Sequence, residues 1–328
     1  MQKSHDATTP LRAGVIGAGR WATEAHLPGL RSCAGVRIDA VADIDRGRAA
    51  AVAVRFGIPR VYESAPAMLD DAPLDLVVIA TPDDAHADDA TAALAGGLHV
   101  LCEKPLATTV VDAARLSRLA AEAGVVTRVG FAMRFAPAMR RMRDAIAAGA
   151  IGEPQWLQAF QQNGQFLDPA TPFHWKMDRA RTGGGAIVEY GIHTLDLARW
   201  LMGEVRSVSA TARTWIPERP LPAGGRVPID VDDSTGWLME FERGGIGVCH
   251  AGWATAGRPP GLSFSVFGSE GALRCVLADD LPGAEGLWRA GRDGAFHSVP
   301  SAAVEAADES WWKRFPSLLI DDFIEEIR

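Results

Sequence analysis

The chain has 328 residues, 48% of them apolar, enough for two ordinary domains that each bury a core. Lys plus Arg total 33 against 41 Asp plus Glu, a net charge of −8. With the basic residues scattered, this argues against a nucleic-acid partner and against an anionic membrane surface. Four cysteines (Cys33, Cys102, Cys249, Cys275) lie far apart without metal-type spacing, and no metal site is expected. They read as buried free thiols of a reducing, cytoplasmic protein. Residues 1–10 are polar and read as a flexible terminus without the apolar region of a signal peptide. No run approaches the ~18 apolar residues of a membrane span.

The first element in chain order is a short buried strand, residues 13–16. Gly17-Ala18-Gly19-Arg20-Trp21-Ala22 follows at once, then a helical segment to about Arg31. Residues 36–43 form a second strand ending at Asp43, 21 residues past Ala22. This is G-x-G-x-x-A between strand and helix with an acidic residue ending the next strand. Gly17 allows a tight turn, Gly19 a close approach to a pyrophosphate, and Ala22 close helix–sheet packing. A carboxylate at Asp43 accepts from a ribose 2′-hydroxyl and repels a 2′-phosphate, which favours NAD over NADP. Arg46 and Arg48 nearby temper that preference.

Strand and helix signals then alternate. Residues 61–62 and 76–80 read as strands, the latter stopping at Thr81-Pro82, where doubly wound sheets bind ligands. A helix from Ala85 to Ala95 leads to a strand at 99–102, which runs into Glu103-Lys104-Pro105. A cis bond is expected before Pro105. After a helix at 109–123 and a strand at 125–130, the expected fold is α/β, a doubly wound parallel sheet over residues 1–130.

Residues 131–328 read as a second, α+β domain with a mostly antiparallel sheet. A helix at 137–148 and a strand at 155–162 precede a polar, aromatic loop over 163–182. Gly183-Gly184-Gly185 then opens a helix on which Glu189, His193, Asp196 and Trp200 share one face. Such a stripe is either solvated or the wall of a site, and His193 alone is compatible with a satisfied core histidine. Strands are expected at 205–215, 233–242, 245–253, 261–268 and 271–277. A helix over 311–328 ends the chain, with a return onto the first domain left open.

Taken together, the nucleotide loop, Ala80-Thr81-Pro82 with His86, His99 to Pro105, and Gly183-Gly184-Gly185 with Glu189, His193 and Asp196 resemble the Gfo/Idh/MocA oxidoreductases. The resemblance covers nearly the whole chain. It implies an N-terminal Rossmann domain and a C-terminal domain with a large open sheet, through which homodimers or homotetramers form. It also implies a nicotinamide cofactor and hydride transfer at a secondary alcohol or ketone of a sugar, polyol or related carbohydrate-like molecule. Lys104 takes the place of the family's catalytic lysine and His193 of its acid/base. Glu189 stands where aspartate is usual. Gly17, Gly19, Arg20, Trp21, Ala22, Asp43, Thr81, Pro82, His86, Glu103 and Lys104 are the expected cofactor contacts. Substrate contacts are expected from Lys104, Arg134, Trp175, Lys176, Glu189 and His193. Family members continue past the final helix, so either a tail is missing at Arg328 or this member is short. The competing readings are a redox-neutral glycoside hydrolase or epimerase that retains NAD, and a non-enzymatic nucleotide sensor. Intact Lys104 and His193 argue against the sensor.

Overall fold

Six segments pair side by side to build the first sheet: β1 (Leu11–Ile16), β2 (Val36–Ala42), β3 (Arg60–Tyr62), β4 (Leu76–Ile79), β5 (His99–Cys102) and β6 (Thr127–Val129). The computed structural model describes residues 9–257, 261–278, 286–300 and 311–328, so the expected flexible terminus lies almost entirely outside the described residues. All six strands are parallel, in the order β3-β2-β1-β4-β5-β6. The reversal of strand order between β1 and β4 is the point at which such sheets bind ligands. Val15, Ile16, Val77, Val78 and Ile79 are buried, each worth roughly 1.5–3 kcal/mol relative to exposure.

The helices on this sheet are α1 (Leu27–Ser32), α2 (Arg46–Phe56), α3 (Ala65–Asp71), α4 (His86–Ala95) and α5 (Val110–Ala123). Their ends follow local chemistry. Asp45 caps α2 by accepting from the Arg48 amide, and Thr109 caps α5 by accepting from Asp112. Ser64 caps α3, a helix absent from the sequence reading, by accepting from Ala67.

By its contacts the chain divides in two: residues up to Ala132 with Trp312–Arg328 form one unit, Met133–Trp311 the other. The last helix, α9 in chain order (Trp311–Ile327), buries Phe315, Leu319, Ile320 and Phe323. It lies against α1, where a side chain at Gly29 would come within 2.7 Å of Ile320. Cys33 Sγ donates to Asp321 at 2.9 Å, and Arg128 pairs with Asp322 and Glu326.

The second unit opens with α6 (Pro137–Ala147) and β7 (Pro154–Gln162), then α7 (Arg179–Thr182) and α8 (Ile192–Met202). Its strands continue as β8 (Val205–Arg213), β9 (Glu218–Pro220), β10 (Arg226–Pro228), β11 (Ser234–Phe241) and β12 (Ile246–Gly252). They end with β13 (Gly261–Gly268), β14 (Ala272–Ala278), β15 (Gly286–Ala290) and β16 (Phe296–Ser298). Eight of them form one sheet, β16-β15-β14-β13-β7-β12-β11-β8, antiparallel except where β7 and β12 run parallel. Alternation separates its faces. Leu157, Ala159, Trp237, Met239, Cys249 and Phe264 are buried on one face, while Trp156, Leu238 and Ile246 are exposed on the other. Among the described residues no helix is long and apolar enough to cross a membrane.

Candidate functional site

In the first unit the site is built around the turn after β1. Gly17 has φ +92°, and a Cβ there would lie 2.5 Å from the Ala80 carbonyl oxygen, so the turn needs glycine. Gly19 has nothing within 4 Å of where a Cβ would stand, which leaves the backbone open to a phosphate. Ala22–His26 then winds as a π-turn before α1, a wider coil than the α-helix the sequence suggested. Open backbone at Gly19 with a helical turn directly behind it fits a dinucleotide pyrophosphate.

Asp43 follows β2 as expected. Its carboxylate accepts from the Ala18 amide at 2.8 Å, from the Asp45 amide at 2.8 Å, and from Arg48 Nε and Nη2 at 3.1 and 2.8 Å. Desolvation pushes this carboxyl up, but the bonds from Arg48, Ala18 and Asp45 outweigh it and hold the group below its usual range.

Glu103 is the buried centre of the unit. Its Oε1 accepts from Trp21 Nε1 at 2.7 Å and from His26 Nε2 at 2.9 Å, and its Oε2 from the Lys104 amide at 3.1 Å. Burial alone raises its pKa; the His26 hydrogen bond and the charge of Lys104 overcome this and keep it ionised below the ordinary range. A side chain at Gly130 would meet this carboxyl at 2.7 Å, so the neighbouring strand end is kept bare for it. Lys104-Pro105 is cis, as anticipated. His86 bridges the carbonyls of Pro105 (2.7 Å) and Thr81 (3.0 Å), and Thr81 Oγ1 donates to Asp89 at 2.9 Å. Pro82 begins the short turn Asp83–Ala85. The expected contacts Trp21, Glu103 and Lys104 thus meet in one network, and Thr81 and His86 in another. His26 carried no motif and went unnoticed in the sequence.

In the second unit the glycine-rich opening is held by Asp232. Its carboxylate accepts from the amides of Gly185 and Ile187, each at 2.9 Å, and from Thr235 Oγ1 at 2.7 Å. The helix does not run evenly from there: Ile187–Gly191 is a π-turn and only Ile192–Met202 is α-helical. The run carrying Glu189, His193, Asp196 and Trp200 is therefore wider at Glu189 than at His193. A Cβ at Gly191 would meet Ile187 Cδ1 of the preceding turn at 2.5 Å and reach Ala251 of β12 only at ordinary contact distance, 3.4 Å.

Glu189 Oε1 accepts a short hydrogen bond from Lys176 Nζ. The carboxylate expected to hold the His193 imidazole is thus engaged by a cation. Lys176 belongs to a short turn, Trp175–Met177, inside what read as plain loop, and His174 caps that turn through the Lys176 amide at 3.2 Å. Lys176 and Arg181 flank the Trp175 ring at 5.8 and 5.4 Å. Arg134 reaches Asp196 with a bidentate pair at 2.7 and 2.5 Å. Burial nonetheless raises the Asp196 pKa against that pairing. Burial also raises the Tyr190 phenol, whose Oη donates to Gln165 at 2.5 Å.

A Rossmann unit with an open nucleotide loop, followed by a mixed-sheet unit rich in paired acids and bases, defines a dinucleotide-binding oxidoreductase. Known proteins agree. The family described as "Oxidoreductase family, NAD-binding Rossmann fold" matches residues 11–131, and the "GFO/IDH/MocA C-terminal domain" matches residues 139–274. The chain belongs to the Gfo/Idh/MocA oxidoreductase family. It is 31% identical over 287 residues to levoglucosan dehydrogenase of Pseudarthrobacter phenanthrenivorans, covering 83% of this chain and 73% of that one. It is 31% identical over 264 residues to scyllo-inositol 2-dehydrogenase (NAD(+)) of Bacillus subtilis, covering 80% and 73%. Among solved structures, levoglucosan dehydrogenase in complex with NADH and levoglucosan superposes with a TM-score of 0.89 at 28% identity, covering 97% of this chain and 90% of that one.

Proposed function

We propose that the chain oxidises a secondary alcohol of a sugar, polyol or related small molecule, with NAD favoured over NADP. The observation that carries this reading is Glu103: one buried carboxylate ties Trp21 of the nucleotide loop to the backbone of Lys104. The cofactor loop and the lysine are thereby set as one piece. When bound, the nicotinamide supplies the hydride acceptor. Gly17 and Gly19 admit the pyrophosphate, and Asp43 takes the ribose. Lys104 stabilises the alkoxide as it develops, worth about 2–4 kcal/mol in a dry site. His193 takes the hydroxyl proton as general base. Glu189, held by Lys176, adds negative charge that favours the imidazolium so formed. Trp175, Lys176 and Arg134 contribute to binding the carbohydrate. Sugar and inositol dehydrogenases among the relatives support the substrate class.

Lys104→Ala and His193→Ala are expected to lower kcat by about 100-fold or more while NADH still binds. Near-normal turnover in either variant removes that residue from the mechanism. A panel of anhydrosugars, inositols and aldoses, followed at the NADH absorbance, assigns the substrate. Product without free NADH marks the redox-neutral course instead. The exposed face carrying Trp156, Leu238 and Ile246 supports a homodimer or homotetramer. Light scattering of wild type and Ile246→Glu tests it, and a monomeric wild type sinks it. The buried free thiols support a cytoplasmic location.

A further inference from the structure

Asp43 has no acceptor site to spare. A carboxylate offers about four lone-pair sites, and four donors fill those of Asp43. Two are the backbone amides of Ala18 and Asp45, which belong to the fold. The other two are Nε and Nη2 of Arg48. A ribose hydroxyl gains this carboxylate only where Arg48 gives way. Arg48 is able to: its side chain is 48% exposed on the first turn of α2, whereas that of Asp43 is 7% exposed.

Space for the displaced guanidinium lies next to it. A cavity of about 340 Å³ opens beside Gly19, lined in part by Arg20, Thr23, Arg48 and Arg55. Three of the residues lining it are arginines, and among the described residues lining it none is acidic. Arg20 also bonds Glu24 at 3.2 Å, on the exposed side. Such a pocket receives a dianionic phosphate through charge-assisted, bidentate contacts.

We propose that Arg48 sets the balance between NAD and NADP by competing with the ribose of NAD for Asp43 and joining Arg20 and Arg55 on the 2′-phosphate of NADP. The inference rests on the cofactor reading above. Asp43 makes NAD the better ligand, but Arg48 lowers the fraction of molecules ready for it and so weakens its apparent affinity. The same side chain, once displaced, is an asset only to the phosphorylated cofactor. The chain thus uses both nucleotides, with a preference for NAD smaller than a bare aspartate would give.

Calorimetric titration of wild type, Arg48→Gln, Arg48→Lys and Arg55→Gln with NADH and with NADPH tests this by binding alone. For Arg48→Gln the NADH Kd is expected to fall by about threefold and the NADPH Kd to rise by about tenfold. Arg48→Lys keeps the charge without the planar fork and shifts both in the same directions by less. Arg55→Gln weakens NADPH alone. A ratio of NADPH to NADH Kd that rises by less than about threefold in Arg48→Gln, a loss of NADH affinity there, or equal weakening of both nucleotides in Arg55→Gln overturns the proposal. Wild type that binds neither nucleotide overturns the cofactor reading itself, a result distinct from a flat ratio.

Discussion

Two helices of this chain open with a π-turn, Ala22–His26 and Ile187–Gly191, and a buried carboxylate from elsewhere in the same unit secures each. The two carboxylates hold different things. Glu103 binds two side chains, Trp21 and His26, and one amide. Asp232 binds two backbone amides and a hydroxyl. A carboxylate on amides decides whether the turn forms at all, whereas one on side chains decides where chemistry-bearing groups point. The first should therefore show itself in stability and the second in function.

The sharpest test of that contrast is Asp232→Ala. It strips three donors that are buried or nearly so, and a loss of about 3–5 kcal/mol in chemical denaturation is expected. A loss under about 1 kcal/mol would erase the distinction. Glu103→Gln comes next. An amide has one acceptor oxygen for three donors, so about 1–3 kcal/mol of stability goes, with a larger fall in kcat than in NADH affinity because Lys104 shifts. Lys176→Met leaves Glu189 without its cation and should cost about tenfold in kcat/KM at little cost in melting temperature, since both groups keep some exposure.

The smallest effect is in acid. His174 and His250 are both held below their ordinary value of 6.5 by burial, with Lys176 adding repulsion at His174. The unfolded chain takes up these protons first, so stability is complete above about pH 6.5 and declines as pH falls toward the folded values. A drop of a few degrees in melting temperature between pH 7.5 and 5.5 is expected, and His174→Gln with His250→Gln flattens it.

The same contrast explains what the sequence reveals. Backbone demands leave glycine and period-two signatures, so the parallel sheet, the Gly17 turn, Asp43 and the cis bond before Pro105 were all legible. Asp43 and Ala18 are set by a turn whose rules are local. The pairing of Lys176 with Glu189 and of Arg134 with Asp196 was not, because it joins segments 13 and 62 residues apart through freely rotating side chains. The π-turns were hidden because an extra residue per turn leaves no composition of its own. The parallel contact of β7 with β12 was equally hidden, since alternation gives the faces of a strand but not its neighbour.

The four thiols carry a last consequence, for labelling chemistry. Cys33 and Cys249 are each pushed up to about 12, Cys33 by burial and its bond to Asp321, Cys249 by burial. Burial also holds the Cys102 thiol well above its usual range, and Cys275 is buried. Maleimides attack accessible thiolates, and all four native thiols are buried. The native chain is therefore a dark background. Cysteines introduced at Val110, 87% exposed in the first unit, and Val208, 63% exposed in the second, would take up dyes selectively. Energy transfer between them would then report in real time on how the two units respond to a cofactor, without deleting a single native thiol.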